Sequence, residues 1–552
     1  MYIKQKNILG LSLGLLLTGG TLIPVQAQDI KASVAEFDPV YLNWYNQSPE
    51  LDKVEGVGVN RAYSELLKNK KSKKTIVVAV IDSGVDIDHP DLQGHLWTNT
   101  KEVAGNGVDD DQNGYVDDVH GWGLLGNARG ENVNYETYEF VRILRQLAPK
   151  YKEVTSASKV PAAQQEEYKA YLKAKQAYDA EFRKRQQTQQ SLEAFDQVLQ
   201  GVQGILGNYL KKEQFTLTDV KNISTTDKRV MAAKTWLLTK YSQGFTPEEF
   251  EQAKEQNEDF LTKQLNLDVN PRQIIGDNPE DITDTHYGNN DVTGPRADHG
   301  TAVAGIIAGL RNNNLGIDGI ASNVQIMALR AVPNGDERDK DIALAIRYAV
   351  DNGANIINMS FGKDFSPQKA FVDEAVKYAQ QKNVLLVHAA GNDAANIDTT
   401  DNFPTKKTLD GLTIKNWLEV GASARLKNLN FCGDFSNYGQ RTVDLFAPGV
   451  DIISLAPEGK YLQADGTSFA SPVVSGVAAL VWSYYPELSA EELKEVLVKS
   501  CTTYPNLKVN QPSENPEKLK KVEFSTLSIT GGVVNAYKAL QLAEKKATNK
   551  VQ

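Results

Sequence analysis

The chain has 552 residues, of which 41% are hydrophobic and 24% charged, and its formal net charge is −10. That length accommodates two or more domains, or one large domain with an insertion, and the composition excludes wholesale disorder. An acidic balance argues against nucleic acid as a partner, because phosphate binding needs a basic surface.

Residues 1–27 place Lys4 and Lys6 ahead of an apolar stretch that ends in Val25-Gln26-Ala27. This is the layout of a secretory signal cleaved after Ala27. Gly19, Gly20, Thr21 and Pro24 interrupt the apolar run, so no stable membrane anchor is expected after cleavage. The expected destination is extracellular or periplasmic. Two cysteines occur, Cys432 and Cys501. An oxidising compartment lets them pair, but their spacing in the chain leaves two buried free thiols equally open.

Residues 28–74 read as an arm leading into the fold. "TIVVAVIDSG" is then a β-branched, almost wholly apolar run of the kind buried on both faces of a parallel sheet. The pattern returns in "VQIMALRAV", "ANIINMSFG" and "VLLVHAAGN", separated by the helical stretches "DIALAIRYAVDNG" and "SPQKAFVDEAVKYAQQKN". Alternation of this kind predicts βαβ crossovers and an α/β fold with a doubly wound, mostly parallel sheet, whose ligands gather at the carboxyl ends of the strands. Ser489-Ala490-Glu491-Glu492 is a capping box opening a further helix.

From 131 to 285 the rhythm changes to Gln-, Lys- and Glu-rich sequence with apolar residues three and four apart. Tyr168, Tyr171, Tyr178 and Phe182 share one helical face, continued by Leu192, Phe195, Leu199, Val202, Leu206 and Tyr209. Pro161 precedes this helix, Gly201, Gly204 and Gly207 weaken its far end, and Thr246-Pro247 starts another. The expected organisation is therefore an all-α insertion over 131–285 between two parts of one α/β domain, 75–130 and 286–545, with a tail from 546 to 552. Both ends of the insertion return to that domain, so a lid or exosite beside its cleft is the expected role.

Asp82 stands at the carboxyl end of the first apolar run, His299 opens the small-residue helix "DHGTAVAGIIAG", and Ser468 starts another apolar helix after Gly466. Each has a dull explanation alone. Together they supply a carboxylate, an imidazole and a hydroxyl, which is what a serine needs to become a nucleophile. Asn392, just past a buried strand in "VHAAGND", can donate to the oxyanion together with the Ser468 backbone N–H.

The order Asp, His, Asn, Ser and the words "VIDSGVDIDHPDL", "DHGTAVAG", "AAGN" and "GTSFASP" resemble the subtilisin-like serine proteases, over roughly 75–130 and 288–500. The resemblance implies a subtilisin-like sheet, with Asp82 orienting, His299 acting as general base and then acid, Ser468 attacking and Asn392 steadying the oxyanion. It also implies that Ser360, Phe361 and Gly362 pair with the substrate backbone. Ala302 and Phe469 depart from the usual pattern without removing a catalytic group. Residues 28–74 are short for the family's folded pro-domain plus a mature arm, which argues against self-chaperoned maturation.

"NGVDDDQNGYVDD" offers Asp109, Asp111 and Asn113 at alternate positions, Gly114 for the turn, the Tyr115 carbonyl, and Asp117 or Asp118 to close a calcium loop. His120 stands where an EF-hand would carry its bidentate Glu. Asp91 and Asn313 match, by resemblance, a structural calcium site of the family. The expectation is a secreted serine endopeptidase that hydrolyses polypeptides through an acyl-enzyme and binds structural calcium. The alternative is a catalytically silent peptide-binding scaffold of the same fold, whose mark would be a substituted triad member; an esterase with the same triad would show itself in ester against amide turnover.

Overall fold

The apolar runs become strands. In chain order these are β1 (Asp29–Lys31), β2 (Ile76–Asp82), β3 (Gly121–Gly123), β4 (Val324–Arg330), β5 (Ile356–Met359), β6 (Leu385–Ala389), β7 (Trp417–Ser423), β8 (Leu445–Pro448), β9 (Ile452–Ala456), β10 (Lys460–Ala464), β11 (Thr502–Thr503), β12 (Lys508–Asn510), β13 (Lys521–Glu523) and β14 (Gly532–Val533). The helices of ten or more residues are α1 (Glu139–Tyr151), α2 (Gln165–Leu210), α3 (Lys228–Ser242), α4 (Pro247–Asp259), α5 (Asp298–Ala308), α6 (Asp339–Asp351), α7 (Lys369–Gln381), α8 (Thr467–Tyr484), α9 (Ala490–Lys499) and α10 (Ala536–Val551). This computed structural model describes residues 29–551 apart from 514 and 516–518, so the signal segment and its cleavage point lie outside the described residues.

Nine strands form one sheet in the order β11-β14-β8-β7-β6-β5-β2-β4-β3, parallel from β8 to β3. The connections from β4 to β5 and from β5 to β6 carry α6 and α7, helices cover both faces of the sheet, and two cores result. One face buries Val303, Ile306 and Ile307 of α5 and Val473, Val477 and Val481 of α8 against Val78, Val80 and Val387. The opposite face buries Ile342, Ile346 and Val350 of α6 and Val372 and Val376 of α7 against Ile81, Met359 and Leu386. Strands covered on both sides must be apolar throughout, as the sequence shows.

The chain divides into two compact units among the described residues, one spanning 140–269 and the other 29–139 with 270–551. The stretches 131–139 and 270–285, assigned from sequence to the insertion, belong to the sheet-containing unit. Inside the helical unit α2 runs for 46 residues. It continues through Gly201, Gly204 and Gly207, which were expected to weaken it. Val202 and Leu206 are buried with Val230, Ala233 and Leu237 of α3 and Phe250 of α4, and burial of such side chains outweighs about 1 kcal/mol of helix propensity per glycine. The Thr246 hydroxyl caps α4 by accepting the Glu249 N–H, and Ser489 with Glu492 makes the expected capping box on α9.

The N-terminal arm is part of the core. β1 extends the edge of β10, Trp44 and Tyr45 are fully buried, and the Trp44 indole donates to the Asp451 carbonyl at 3.0 Å. The two cysteines are free thiols, Cys432 buried and Cys501 half-buried.

Candidate active site

β2 ends at Asp82, whose side chain is 2% exposed. Its Oδ1 accepts the Ser83 N–H at 2.7 Å and faces His299 Nδ1 at 2.7 Å. The first turn of α5 reaches this carboxylate because Gly300 has no side chain: a Cβ there would stand 2.1 Å from the Gly84 carbonyl oxygen and 3.1 Å from the Asp82 Cβ. Burial alone would push the imidazole pKa down, but the charge and hydrogen bond of Asp82 outweigh it, and the pKa of His299 is raised above 6.5.

Ser468 is the second residue of α8, and the ring of its neighbour Phe469 lies 5.6 Å from the His299 ring. Among the described residues no hydrogen bond engages the Ser468 hydroxyl. Below it the helix is pinned from an unusual direction. Pro472 has no N–H to offer the Ser468 carbonyl four residues back; the Ser360 hydroxyl donates to that carbonyl instead, at 2.9 Å. Ser360 also accepts the Asn358 amide at 2.9 Å and meets the Ser471 hydroxyl at 2.8 Å, while Ser475 donates to Asn358 Oδ1.

Asn392 is exposed at the exit of β6. Its Oδ1 accepts both the N–H and the hydroxyl of Thr467, each at 2.9 Å, and the Thr467 hydroxyl in turn accepts the Gly391 N–H at 3.1 Å. Two donors on one atom identify it as the oxygen, which leaves the Nδ2 hydrogens pointing outward. Thr467 is therefore a site residue that the sequence reading missed.

The sequence pattern of the Subtilase family matches residues 73–517. The chain belongs to the subtilase family. Over 204 residues, 37% of this chain and 46% of the relative, it is 41% identical to a thermophilic serine proteinase of Bacillus sp. (strain AK1). Over 206 residues, 37% of this chain and 70% of the relative, it is 35% identical to subtilisin DY of Bacillus licheniformis. A cell wall-associated protease of Bacillus subtilis (strain 168) is 35% identical over 204 residues, 37% of this chain and 21% of that protein. The chain thus spans less than half the length of the first and third of these relatives.

In this subtilase β4 and β5 flank β2 on either side, and both continue past its end, as Ala331–Gly335 and as Ser360–Lys363. Lys363 exchanges both backbone hydrogen bonds with Phe403 in an isolated antiparallel bridge. Asn334 likewise exchanges backbone hydrogen bonds with residues 134 and 136. Of the expected substrate-binding residues, the Ser360 side chain is committed to α8, Phe361 is buried with its ring 6.3 Å from that of His388, and Gly362 precedes the bridge of Lys363 to Phe403.

The acidic loop gathers Glu102, Asp109 and Asp111, with carboxylate oxygens all within 4.8 Å of one another. Several carboxylates on a loop suit a hard cation such as calcium. Among the other expected donors, Asp117 accepts the N–H groups of Gly105, Asn106 and Gly107. Asp118 is held by Asn99, Asn113 and Tyr348. Asn113 Oδ1 accepts the Tyr115 N–H, and the Tyr115 ring packs on Trp122 and Tyr348. Glu102, which the sequence reading did not include, joins Asp109 and Asp111 in this cluster; it also accepts the Asp110, Asp111 and Asp117 amides. At the second expected site Asp91 is fully buried, Asn313 donates to it at 2.5 Å, and burial raises its carboxyl pKa. No helix among the described residues is long and apolar enough to cross a membrane.

Proposed function

We propose that this subtilase is an exported serine endopeptidase working through an acyl-enzyme, with Asp82, His299 and Ser468 as its triad. The observation that carries the reading is the 2.7 Å contact between Asp82 and His299, set beside an unpartnered hydroxyl at the start of α8. An extended peptide pairs with the backbone past β5, at Ser360–Gly362, which recognises backbone rather than sequence. His299 Nε2 takes the Ser468 proton as Oγ attacks the scissile carbonyl, and Asp82 holds the tautomer and stabilises the imidazolium. The oxyanion meets Asn392 Nδ2 and the Ser468 N–H, an amide of the first helical turn that has no partner within the helix. His299 returns the proton to the leaving amine, and water then attacks the acyl ester along the reverse path.

Glu102, Asp109 and Asp111 would hold one calcium ion, and Asp91 with Asn313 a second, each stabilising a surface loop. The N-terminal sequence and the name of the cell wall-associated relative both favour export. A fluorophosphonate tests the core of the reading. It should label the wild-type protein in calcium-containing buffer, while Ser468→Ala neither labels nor cleaves and keeps its melting temperature. Wild-type protein that stays unlabelled refutes it.

A further inference from the structure

The geometry points to Lys363 as a positioning residue that holds the peptide-pairing segment Ser360–Gly362 in place beside Ser468, and to Glu139, at the entry to the helical insertion, as a group that holds Lys363. This rests on the proteolytic reading above. The segment is pinned at both ends. At one end the Ser360 hydroxyl donates to the carbonyl of Ser468 itself at 2.9 Å. At the other, Lys363 is buried, 6% exposed, and exchanges backbone hydrogen bonds with Phe403. Its ammonium reaches three acceptors from other parts of the chain: Glu139 Oε2 at 2.8 Å, the Glu337 carbonyl at 2.7 Å and Asp339 Oδ1 at 2.9 Å.

Those acceptors belong to two segments that are also tied to each other. The Asn334 N–H donates to the Asn134 carbonyl and the Glu136 N–H to the Asn334 carbonyl, a short parallel bridge. Arg338 donates to Glu136 Oε2 at 3.0 Å, and the Glu139 N–H to Asp336 Oδ2 at 2.8 Å. α1 starts at Glu139, so the chain enters the insertion directly from this network. A buried ammonium is costly to desolvate, and a packed apolar side chain of the same size would serve the fold as well. What the charge adds is direction: it fixes where residue 363, and with it Gly362, stands. Removing the Glu139 charge loosens one end of the segment while the Ser360 end stays bound to α8, so the backbone between them shifts against the triad. A displacement of about 1 Å in a substrate-positioning group can cost about 10²-fold in rate.

The test uses the full-length enzyme and two substrates cut after the same residue: a four-residue peptide anilide, long enough to pair along 360–362, and an N-acetyl ester of the single residue, which is not. In Lys363→Met, kcat/KM on the anilide should fall by at least about tenfold, while kcat/KM on the ester and the rate of fluorophosphonate labelling stay within about twofold. Glu139→Gln, which keeps the shape and an acceptor oxygen, should lower the anilide rate in the same selective way, and should add no further loss in a Lys363→Met background. If Lys363→Met is poorly folded, Glu139→Gln alone carries the comparison of anilide with ester. Anilide turnover unmoved in the folded variants, anilide and ester falling together, or losses that add in the double variant each overturn the inference. Labelling of the wild type separates the failures: a labelled enzyme with unselective variants loses the positioning role and keeps the triad, whereas an unlabelled one loses both.

Discussion

Replacing Asn392 with alanine removes one preorganised donor from the oxyanion. Loss of such a donor costs about 2.7–4 kcal/mol in the transition state, so kcat should fall by about 10²–10³ with little change in KM. The structure carries this one step further back. Asn392 Oδ1 is held by two hydrogen bonds of 2.9 Å from Thr467, one through the hydroxyl. Thr467→Val deletes that bond and leaves the Gly391 N–H without its acceptor. A single net hydrogen bond is worth about 0.5–1.5 kcal/mol, which converts to a loss of about 2- to 13-fold in kcat. Thr467→Ser keeps the hydroxyl and should keep the rate. If Thr467 acts only through Asn392, Thr467→Val should add no further loss in an Asn392→Ala background. Steady-state kcat and KM on one peptide anilide decide all four variants. An Asn392→Ala enzyme with undiminished kcat, or a Thr467→Ser enzyme as slow as Thr467→Val, refutes the reasoning.

His299 has its pKa raised above 6.5 by Asp82, and only the neutral imidazole is a base, so the acid limb of kcat/KM should lie above pH 6.5. Asp82→Asn should move that limb to lower pH and reduce kcat by about 10⁴, the loss established for this substitution in a serine-protease triad. The same pair stabilises the fold fully below pH 6.5 and loses that contribution as pH rises through the raised pKa, so the stability gap between wild type and Asp82→Asn should narrow in alkali; a gap that widens contradicts the assignment. Calcium at a hundredfold excess over Kd should add about 2.7 kcal/mol to stability. Chelation should lower the melting temperature, and Asp109→Asn should blunt that response; equal melting curves with and without chelator would remove the loop site. Burial pushes the Cys501 thiol up to about 12 and Cys432 higher still. Thiol titration without reductant should therefore find no fast-reacting group in the native protein and two after denaturation, whereas none after denaturation would mean a disulfide.

The parts of this molecule that were legible in sequence share one property: the signal is local. β2, β4, β5 and β6 are apolar because both faces are covered, and Asp82 and Asn392 are conspicuous because each is a polar residue following such a run. His299 and Ser468 stand out against the small, apolar helices that they begin. What escaped notice depends on segments that meet only after folding. Thr467 is a helix-start threonine until Asn392, 75 residues earlier, turns its oxygen toward it. Glu102 joins the acidic cluster only because the backbone doubles back at Gly105 and Gly107, both at positive φ, and that same reversal turns the Gly105, Asn106 and Gly107 amides onto Asp117.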